Sequence, residues 1–243
     1  MRNIAIFVQA RMNSSRTPGK VLHDIFGQPM LLRQLMRLKE GCGEIKLVCL
    51  TSNLNEDDPI AELCEKHGFD CYRGPLNNVL LRYILAAEHY NLEYILRVGG
   101  DDPLIDPNVC KQLIKKYDGE DFFFSSHRKG WPYGCAAELI TLESLKRILE
   151  SSKDNLFLEH IIPWFHNFPE KSKIRKLYAP KEINRPDYYF SVDYPEDLEL
   201  IKVIFSELSR LGDYFSLTDV IEFCDQNQDI LQINQHLHEG FDS

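Results

Sequence analysis

Residues 4–20 have the sequence IAIFVQARMNSSRTPGK. Residues 4–8 form a continuous apolar run, which is typical of a strand buried on both faces of a parallel sheet. Residues 9–20 follow directly and carry three cations and no acid, in a chain whose net charge is −9. Ligands of open α/β sheets bind beyond the carboxyl ends of the strands, so this segment is a candidate ligand-binding loop.

Outward from this segment, short apolar runs alternate with amphipathic stretches. We predict strands at residues 4–8, 45–50, 70–72, 94–98, 122–125, 138–140 and 188–192. We predict helices at residues 29–39, 58–67, 78–90, 141–151, 156–167 and 195–208, with further helices opening at 106–107 and 216–219. Asp58 and Asn78 are the expected N-cap residues of two of these helices. Strands that alternate with helices imply crossover connections and an α/β fold with a mostly parallel sheet.

Length and composition limit the class of protein. The 243 residues and the hydrophobic content of 44% fit one domain, 1–243, with a helical C-terminal appendage at about 210–243. An acidic chain lacks the basic face that general nucleic-acid binding needs, so we expect no nucleic-acid partner. No segment is apolar over a membrane-spanning length, and the seven cysteines show no C-x-x-C pair. We therefore expect no membrane partner and a cytoplasmic protein with reduced thiols.

The loop at residues 9–20 suits a phosphorylated ligand. Arg11 and Arg16 offer forked donors for phosphate oxygens, and Lys20 offers a compact positive charge. The turn at Pro18-Gly19 can bring backbone N–H groups close to an anion. The G-x-x-x-x-G-K and G-x-G-x-x-G patterns are absent, which excludes a P-loop and a dinucleotide fingerprint. From the residues alone, a solvated basic loop is an equally good interpretation.

Carboxylates follow two other predicted strands. Asp101 and Asp102 come after the strand at 94–98, and Asp193 comes after the strand at 188–192. Mg²⁺ prefers oxygen ligands and usually takes one or two carboxylates plus substrate phosphates. Asp101 and Asp193 are therefore candidate metal ligands. The alternative is that these acids only start turns or helices, as aspartate near proline often does, and this alternative is favoured for Asp102.

Five motifs, in this order, resemble those of the spore-coat polysaccharide cytidylyltransferase family, a relative of the 3-deoxy-manno-octulosonate and acylneuraminate cytidylyltransferases. They are QARMNSSRTPGK at 9–20, YRG at 72–74, GDDPLID at 100–106, EH at 159–160 and VDYPEDL at 192–198. The resemblance covers about residues 3–205. It implies a GT-A-like nucleotide-binding fold, with a mostly parallel central sheet, helices on both faces and a small antiparallel flap that often forms a homodimer.

The resemblance also implies an activity, which is Mg²⁺-dependent transfer of CMP from CTP to a small anionic acceptor such as a sugar acid, with release of pyrophosphate. It assigns catalysis to Arg11, Lys20 and Asp101, and metal binding to Asp101 and Asp193. It assigns the nucleotide site to Gln9, Ala10, Arg11, Ser15, Arg16, Lys20, Arg73 and Gly100. Candidate acceptor contacts are Glu138 and His160, together with Tyr133, whose basic and aromatic loop could equally be solvated.

Three positions depart from the family pattern. Thr17 replaces an apolar residue, Gly99 replaces a common threonine, and Ala136 replaces an acid that should face the acceptor. Two rival functions are a GT-A glycosyltransferase that consumes a nucleotide sugar and a non-catalytic nucleotide-binding protein. Two features favour the cytidylyltransferase. The acids at 101–102 are contiguous and do not form a D-x-D pair, and the loop at residues 9–20, here called the cation loop, carries three cations. We expect the histidines near the tail, His236 and His238, to face solvent.

Overall fold

A computed structural model describes residues 3–14, 16–125, 129–212 and 214–238. The strands are β1 Ile4–Gln9, β2 Asp24–Ile25, β3 Gln28–Pro29, β4 Lys46–Ser52, β5 Asp70–Gly74, β6 Tyr94–Gly99, β7 Phe122–Ser125, β8 Glu138–Thr141 and β9 Ile174–Leu177. The α-helices are α1 Met30–Cys42, α2 Asp58–His67, α3 Val79–His89, α4 Pro107–Lys116, α5 Leu142–Ser151, α6 Asn155–Glu159, α7 Ile162–Asn167, α8 Pro195–Leu208, α9 Leu217–Gln226 and α10 Gln232–Gln235.

Seven strands form one sheet in the order β5-β4-β1-β6-β8-β7-β9. All neighbouring strands are parallel except at β8, which is antiparallel to both β6 and β7. The two remaining strands, β2 and β3, pair as a small antiparallel hairpin. The expected α/β fold with a mostly parallel central sheet and a small antiparallel flap is confirmed.

Helices cover both faces of the sheet. The side chains of the central strand β1 point alternately to either face, so β1 contributes to two separate cores. Ile6 and Val8 belong to a core that includes apolar residues of α1, α4, α8 and α9. Ala5 and Phe7 belong to a second core, built with α3 and α5. The continuous apolar run at 4–8 therefore does correspond to a strand buried on both faces. None of the helices in the described part of the chain is long and apolar enough to cross a membrane.

Two predicted elements are wrong. The single helix expected at 156–167 is two short helices, since α6 ends at Glu159 and α7 begins at Ile162. Pro163 explains the break, because it has no N–H to donate and its ring would clash with the carbonyl one turn earlier. The strand expected at 188–192 is reduced to one bridge between Tyr133 and Tyr189.

Strand β9 was not predicted. Its sequence, IRKL, has two exposed cations at its centre and lacks an apolar run. The cap of α2 is also displaced, because Asp57 occupies the N-cap position and Asp58 is the first helical residue. By contrast, Asn78 accepts a hydrogen bond from Leu81 N and caps α3 as expected.

Candidate active site

The loop after β1 is tied to the strands on either side of it. Gly100 N donates to Gln9 O at 2.8 Å, and Ala10 N donates to Leu50 O at 2.9 Å. A side chain at position 100 would not fit, since its Cβ would lie 2.6 Å from Gln9 O. Further along, Gly19 adopts a left-handed conformation with φ of 70°, which glycine takes readily because it has no side chain. Lys20 follows directly and begins a short 3-10 helix, Lys20–Leu22.

Lys20 joins the candidate metal ligands. Its Nζ donates to Oδ2 of Asp101 at 2.8 Å, to Oδ1 of Asp193 at 3.0 Å and to the carbonyl of Val192 at 2.6 Å. All three ammonium protons therefore have acceptors, and the side chain is only 9% exposed. The structure brings together three residues that the sequence placed on separate segments.

Asp193 is held from several directions. Arg16 NH2 lies 2.9 Å from its Oδ1, and Tyr189 donates its hydroxyl to Oδ2 at 2.8 Å. The hydroxyl of Thr17 donates to the Asp193 carbonyl at 2.8 Å. Thr17 thus connects the cation loop to the loop that carries Asp193, here called the acid loop. This hydrogen bond explains why a polar residue occupies a buried position.

The carboxylates of Asp101 and Asp102 both lie close to Gly99. A Cβ at position 99 would lie 2.6 Å from Oδ2 of Asp102 and 2.7 Å from Oδ1 of Asp101. A threonine at this position would therefore require these carboxylates to move. The absence of a side chain at Gly99 allows the acids to occupy the end of β6.

The ionisation of these groups follows from burial and from their neighbours. Burial opposes the charge of Lys20, but Asp101 and Asp193 outweigh it and raise the Lys20 pKa above its usual value. Burial likewise opposes the charge of Asp193, but Lys20 outweighs it, and the pKa of Asp193 is lowered. Burial, with the charge of Asp101 beside it, raises the pKa of Asp102 well above its usual range. Of these acids, Asp193 is stabilised in its charged form and Asp102 in its neutral form.

A cavity of about 520 Å³ opens beside this cluster. Candidate residues of different kinds line it together, namely Arg16, Asp101, Tyr133, Glu138, His160 and Asp193. Ala136 also lies in its wall. A smaller cavity of about 180 Å³ is lined by Gln9, Arg97 and His160 among others. Arg97 and His160 line both cavities, so the two spaces are neighbours.

Other predicted residues lie outside this cluster. Arg11 is about half exposed and makes a long ion pair of 3.6 Å with Glu159. Arg73 donates to the carbonyls of Ser52 and Leu54 and pairs with Asp58, so its donors hold the loop after β4. Ser15 lies outside the described residues.

Comparison with known proteins shows which family the chain belongs to. The cytidylyltransferase family model matches residues 5–234. The chain belongs to the cytidylyltransferase family.

Individual relatives agree with this assignment. The chain is 28% identical over 236 residues to the spore coat polysaccharide biosynthesis protein SpsF of Bacillus subtilis, covering 94% of this chain and 97% of that protein. It is 30% identical over 171 residues to the 3-deoxy-manno-octulosonate cytidylyltransferase of Serratia proteamaculans, covering 68% of this chain and 65% of that protein.

Solved structures agree as well. A cytidylyltransferase from Leptospira borgpetersenii superposes with a TM-score of 0.89 at 31% identity, covering 96% of this chain and 98% of the other. The CMP:2-keto-3-deoxy-manno-octonic acid synthetase complexed with CTP superposes with a TM-score of 0.63 at 14% identity, covering 84% of this chain and 99% of the other, which shows a shared fold.

The acids of this cytidylyltransferase fit a magnesium ion that is shared with substrate. Within residues 3–14, 16–125, 129–212 and 214–238, no three histidine, cysteine or acidic side chains converge on one point. Two carboxylates, Asp101 and Asp193, do converge on the Lys20 ammonium and line the same cavity. Mg²⁺ needs no more than one or two protein carboxylates when phosphates complete its coordination, so this donor set suits it.

Sequence reasoning missed two acids that hold the site loops. Asp57 is 3% exposed, and its carboxylate accepts from the backbone N–H of Met12 and of Ser52. Asp197 is 1% exposed and accepts from the N–H groups of Asp193 and Tyr194. The sequence offered only a capping signal for each acid, since both lie near a helix N-terminus.

Proposed function

We propose that this chain transfers CMP from CTP to a sugar acid or a related small acceptor, with release of pyrophosphate, for the synthesis of a surface polysaccharide or glycan. The observation that carries the proposal is the convergence of Arg16, Lys20, Asp101 and Asp193 beside one cavity. The acceptor candidates Tyr133, Glu138 and His160 line this same cavity. One loop cation, Arg16, therefore lines the same cavity as the candidate acceptor contacts, and Lys20 lies beside it.

The loop cations would bind the triphosphate. Arg11 and Arg16 each leave about half of their side chain exposed, so their guanidinium groups are accessible to phosphate oxygens. The Lys20 side chain is more buried, and its ammonium pairs with both Asp101 and Asp193 and holds them in place. We assign Arg11 and Arg16 to charge neutralisation, and Lys20 to both positioning and charge stabilisation.

Asp101 and Asp193 would hold Mg²⁺. When bound, Mg²⁺ supplies positive charge that offsets the charge of the phosphate oxygens and orients them. The chain itself holds both carboxylates through Lys20 and fixes the direction of Asp193 through Tyr189. Neither acid needs to move a proton in this role.

The reaction would be an in-line displacement at the α-phosphate. An acceptor hydroxyl oxygen would bond to the α-phosphorus while the bond from that phosphorus to the oxygen bridging to the β-phosphate breaks. The hydroxyl proton would pass to solvent, and the charge of the leaving pyrophosphate would be offset by Arg11, Arg16 and Lys20. Catalysis would come from positioning and from charge stabilisation, and no covalent intermediate is needed.

The acceptor would occupy the larger cavity. Its wall includes Tyr133 and Ser191, which carry hydroxyl groups, and Glu138, which carries a carboxylate, and these groups suit a molecule with several hydroxyl groups. Glu138 is held by Arg97 at 3.0 Å, so its direction is fixed. A relative that acts on 3-deoxy-manno-octulosonate supports a sugar acid as the acceptor class.

We place the enzyme in the cytoplasm, as a homodimer. The free thiols of all seven cysteines support a reducing compartment. Light scattering of the purified chain tests the dimer.

Nucleotide selectivity tests the function without knowledge of the acceptor. A ligand that binds only the folded state at a hundredfold excess over its Kd stabilises it by about 2.7 kcal/mol. CTP with Mg²⁺ should therefore raise the melting temperature more than UTP, ATP or GTP. Arg16→Ala should weaken all triphosphates together, whereas Arg210→Ala, at an exposed position, should change nothing.

Turnover then separates the rival functions. CTP-dependent pyrophosphate release with a panel of sugar acids supports the cytidylyltransferase. Hydrolysis of a nucleotide sugar would indicate the glycosyltransferase, and nucleotide binding without either reaction would indicate a non-catalytic protein. Greater stabilisation by UTP or a purine than by CTP would contradict the proposal.

A further inference from the structure

The C-terminal segment reaches the loop that carries Asp193. His238 was expected to face solvent, but its side chain is only 8% exposed. Its Nε2 lies 2.8 Å from Oδ1 of Asp197, and Asn234 donates to the same oxygen at 2.8 Å. One oxygen of the buried Asp197 carboxylate is therefore committed to residues 234–238.

The other oxygen of Asp197 holds the acid loop. Oδ2 accepts from Asp193 N at 2.9 Å and from Tyr194 N at 2.7 Å. These two bonds fix the backbone from which the Asp193 side chain projects. A helix cap alone would explain the bond from Tyr194, since Tyr194 is the N-cap residue of α8. It would not explain the bond from Asp193 or those from the C-terminal segment.

A second route runs through Tyr189. The imidazole of His238 stacks on the Tyr189 ring, with centroids 3.4 Å apart and planes inclined by 9°. Asn234 donates to the Tyr189 carbonyl at 3.0 Å, and the Tyr189 hydroxyl donates to Oδ2 of Asp193 at 2.8 Å. The backbone and the carboxylate of Asp193 are thus held by separate contacts that both end on residues 234–238.

We propose that His238 is a positioning residue of the active site, which sets the direction of the Asp193 carboxylate through Asp197 and Tyr189. The proposal rests on the proposed function for the role of Asp193. Residues that orient a metal-binding group from behind typically change metal affinity or activity by about 10- to 100-fold when they are replaced. His238→Ala, which removes both contacts, should therefore weaken metal binding at Asp193 by about tenfold or more.

The test measures Mn²⁺ binding by electron paramagnetic resonance on the full chain with CTP present, alongside pyrophosphate release. The matched control is His236→Ala, an exposed histidine two residues away, which should behave as wild type. CTP binding without metal should change less than Mn²⁺ affinity does in His238→Ala, because Arg11 pairs with Glu159 and not with Asp193. Unchanged Mn²⁺ affinity, or an equal loss of metal-free CTP binding, would overturn the proposal.

Two conservative variants keep the proposal testable should His238→Ala fail to fold. His238→Gln keeps a donor for Asp197, and His238→Phe keeps the stack on Tyr189. We expect Mn²⁺ affinity to lie between wild type and the alanine variant in both, with the glutamine variant closer to wild type. Wild-type affinity in both variants would refute the positioning role. A wild-type chain that binds Mn²⁺ with CTP but releases no pyrophosphate would refute the proposed function alone.

Discussion

Lys20 Nζ lies 3.0 Å from Oδ1 of Asp193, although 173 residues separate the two along the chain. The same nitrogen lies 2.8 Å from Oδ2 of Asp101. One ammonium therefore sets the distance between two carboxylates that would otherwise repel each other. The cation loop and the acid loops are held together by charge as well as by packing.

Lys20→Met should lower both stability and turnover. Removing one member of a buried ion pair costs about 3–5 kcal/mol, and the exposure of Asp101, about one third, reduces this to about 1–3 kcal/mol. Urea unfolding at pH 7 measures the loss. Lys46→Met is the control, because the Lys46–Asp70 pair is exposed and should change stability by less than about 0.5 kcal/mol. Equal losses in both variants would contradict the special role of Lys20.

Asp101→Asn should reduce turnover by about a hundredfold, which corresponds to about 3 kcal/mol of transition-state stabilisation. The amide keeps the shape of the side chain but removes the charge that a divalent cation requires. Pyrophosphate release at limiting Mg²⁺ measures the effect, with circular dichroism to show an intact fold. Asp70→Asn, on the exposed pair of β5, serves as the control. Near wild-type turnover in Asp101→Asn would remove Asp101 from the metal site.

Asp57 should contribute stability that depends on pH. Burial opposes its charge, but hydrogen bonds from Met12 N and from Ser52 outweigh burial and lower its pKa. A pKa lower in the folded than in the unfolded state gives stability that is complete above the unfolded value, about 3.9, and is lost as pH falls through the folded value. The free energy of unfolding of Asp57→Asn should therefore fall less steeply than that of wild type from pH 5 to pH 2.

Urea unfolding over this range measures the difference for Asp57. Asp58→Asn is the matched control, because Asp58 is the next residue and its side chain is 43% exposed. Parallel stability curves for wild type and Asp57→Asn would contradict the assignment. At pH 7 the variant should be less stable by about 1–3 kcal/mol, since the N–H groups of Met12 and Ser52 lose a charged acceptor.

Arg37→Met should leave stability within about 1 kcal/mol of wild type or raise it. Arg37 is 3% exposed, and its Nε donates to the carbonyl of Ile105 at 3.0 Å. Among the residues that the structure describes, its buried NH1 and NH2 atoms have no hydrogen-bond partner. Its guanidinium packs on the rings of Tyr214 and Phe215, which a methionine can also contact. Arg82→Met is the comparison, because Arg82 is equally buried but donates to the carbonyls of Pro75 and Leu76. Urea unfolding should show a larger loss for Arg82→Met, by about 1–3 kcal/mol; the reverse order would contradict this account.

Cys71 should be the thiol that reacts first in the folded protein. Hydrogen bonds from Cys49 and Cys64 lower the pKa of Cys71 below its usual value, and Cys71 is partly exposed whereas Cys49 and Cys64 are buried. A thiolate is the reactive form, so a disulfide reagent such as DTNB should modify one thiol rapidly in the native state and all seven after denaturation without reductant. Cys71→Ser should abolish the rapid phase. A rapid phase that survives in this variant would assign it to another cysteine.

The first half of the fold could be predicted because its signals are local. The apolar run at 4–8, the cap at Asn78 and the motif at Asp106-Pro107 each specify an element through neighbouring residues. The signal for the helix break, Pro163, was also present in the sequence, but the apolar pattern across 156–167 favoured one continuous helix. Strand β9 gave no periodic signal, and only its pairing with β7 defines it.

The candidate site divides in the same way. The cations after β1 and the acids after β6 could be placed at one edge of the sheet, because carboxyl ends of parallel strands share an edge. Asp193 was expected to follow a further strand, which the structure reduces to a single bridge, so the sequence did not show that it would meet Lys20. The roles of Asp57, Asp197 and His238 depend on contacts between distant segments, the last across 41 residues. A lone histidine near the tail carries no sequence signal for such a contact.

The dependence of Asp193 on residues 234–238 has a consequence for synthesis on the ribosome. The parallel strands β1, β4, β5 and β6 are all complete by residue 99, so a nascent chain can begin to build its nucleotide fold early. The contacts of His238 with Asp197 and Tyr189 become available only after residue 238 has left the exit tunnel. A growing polypeptide can therefore pair these four strands well before it can form the contacts that hold Asp193.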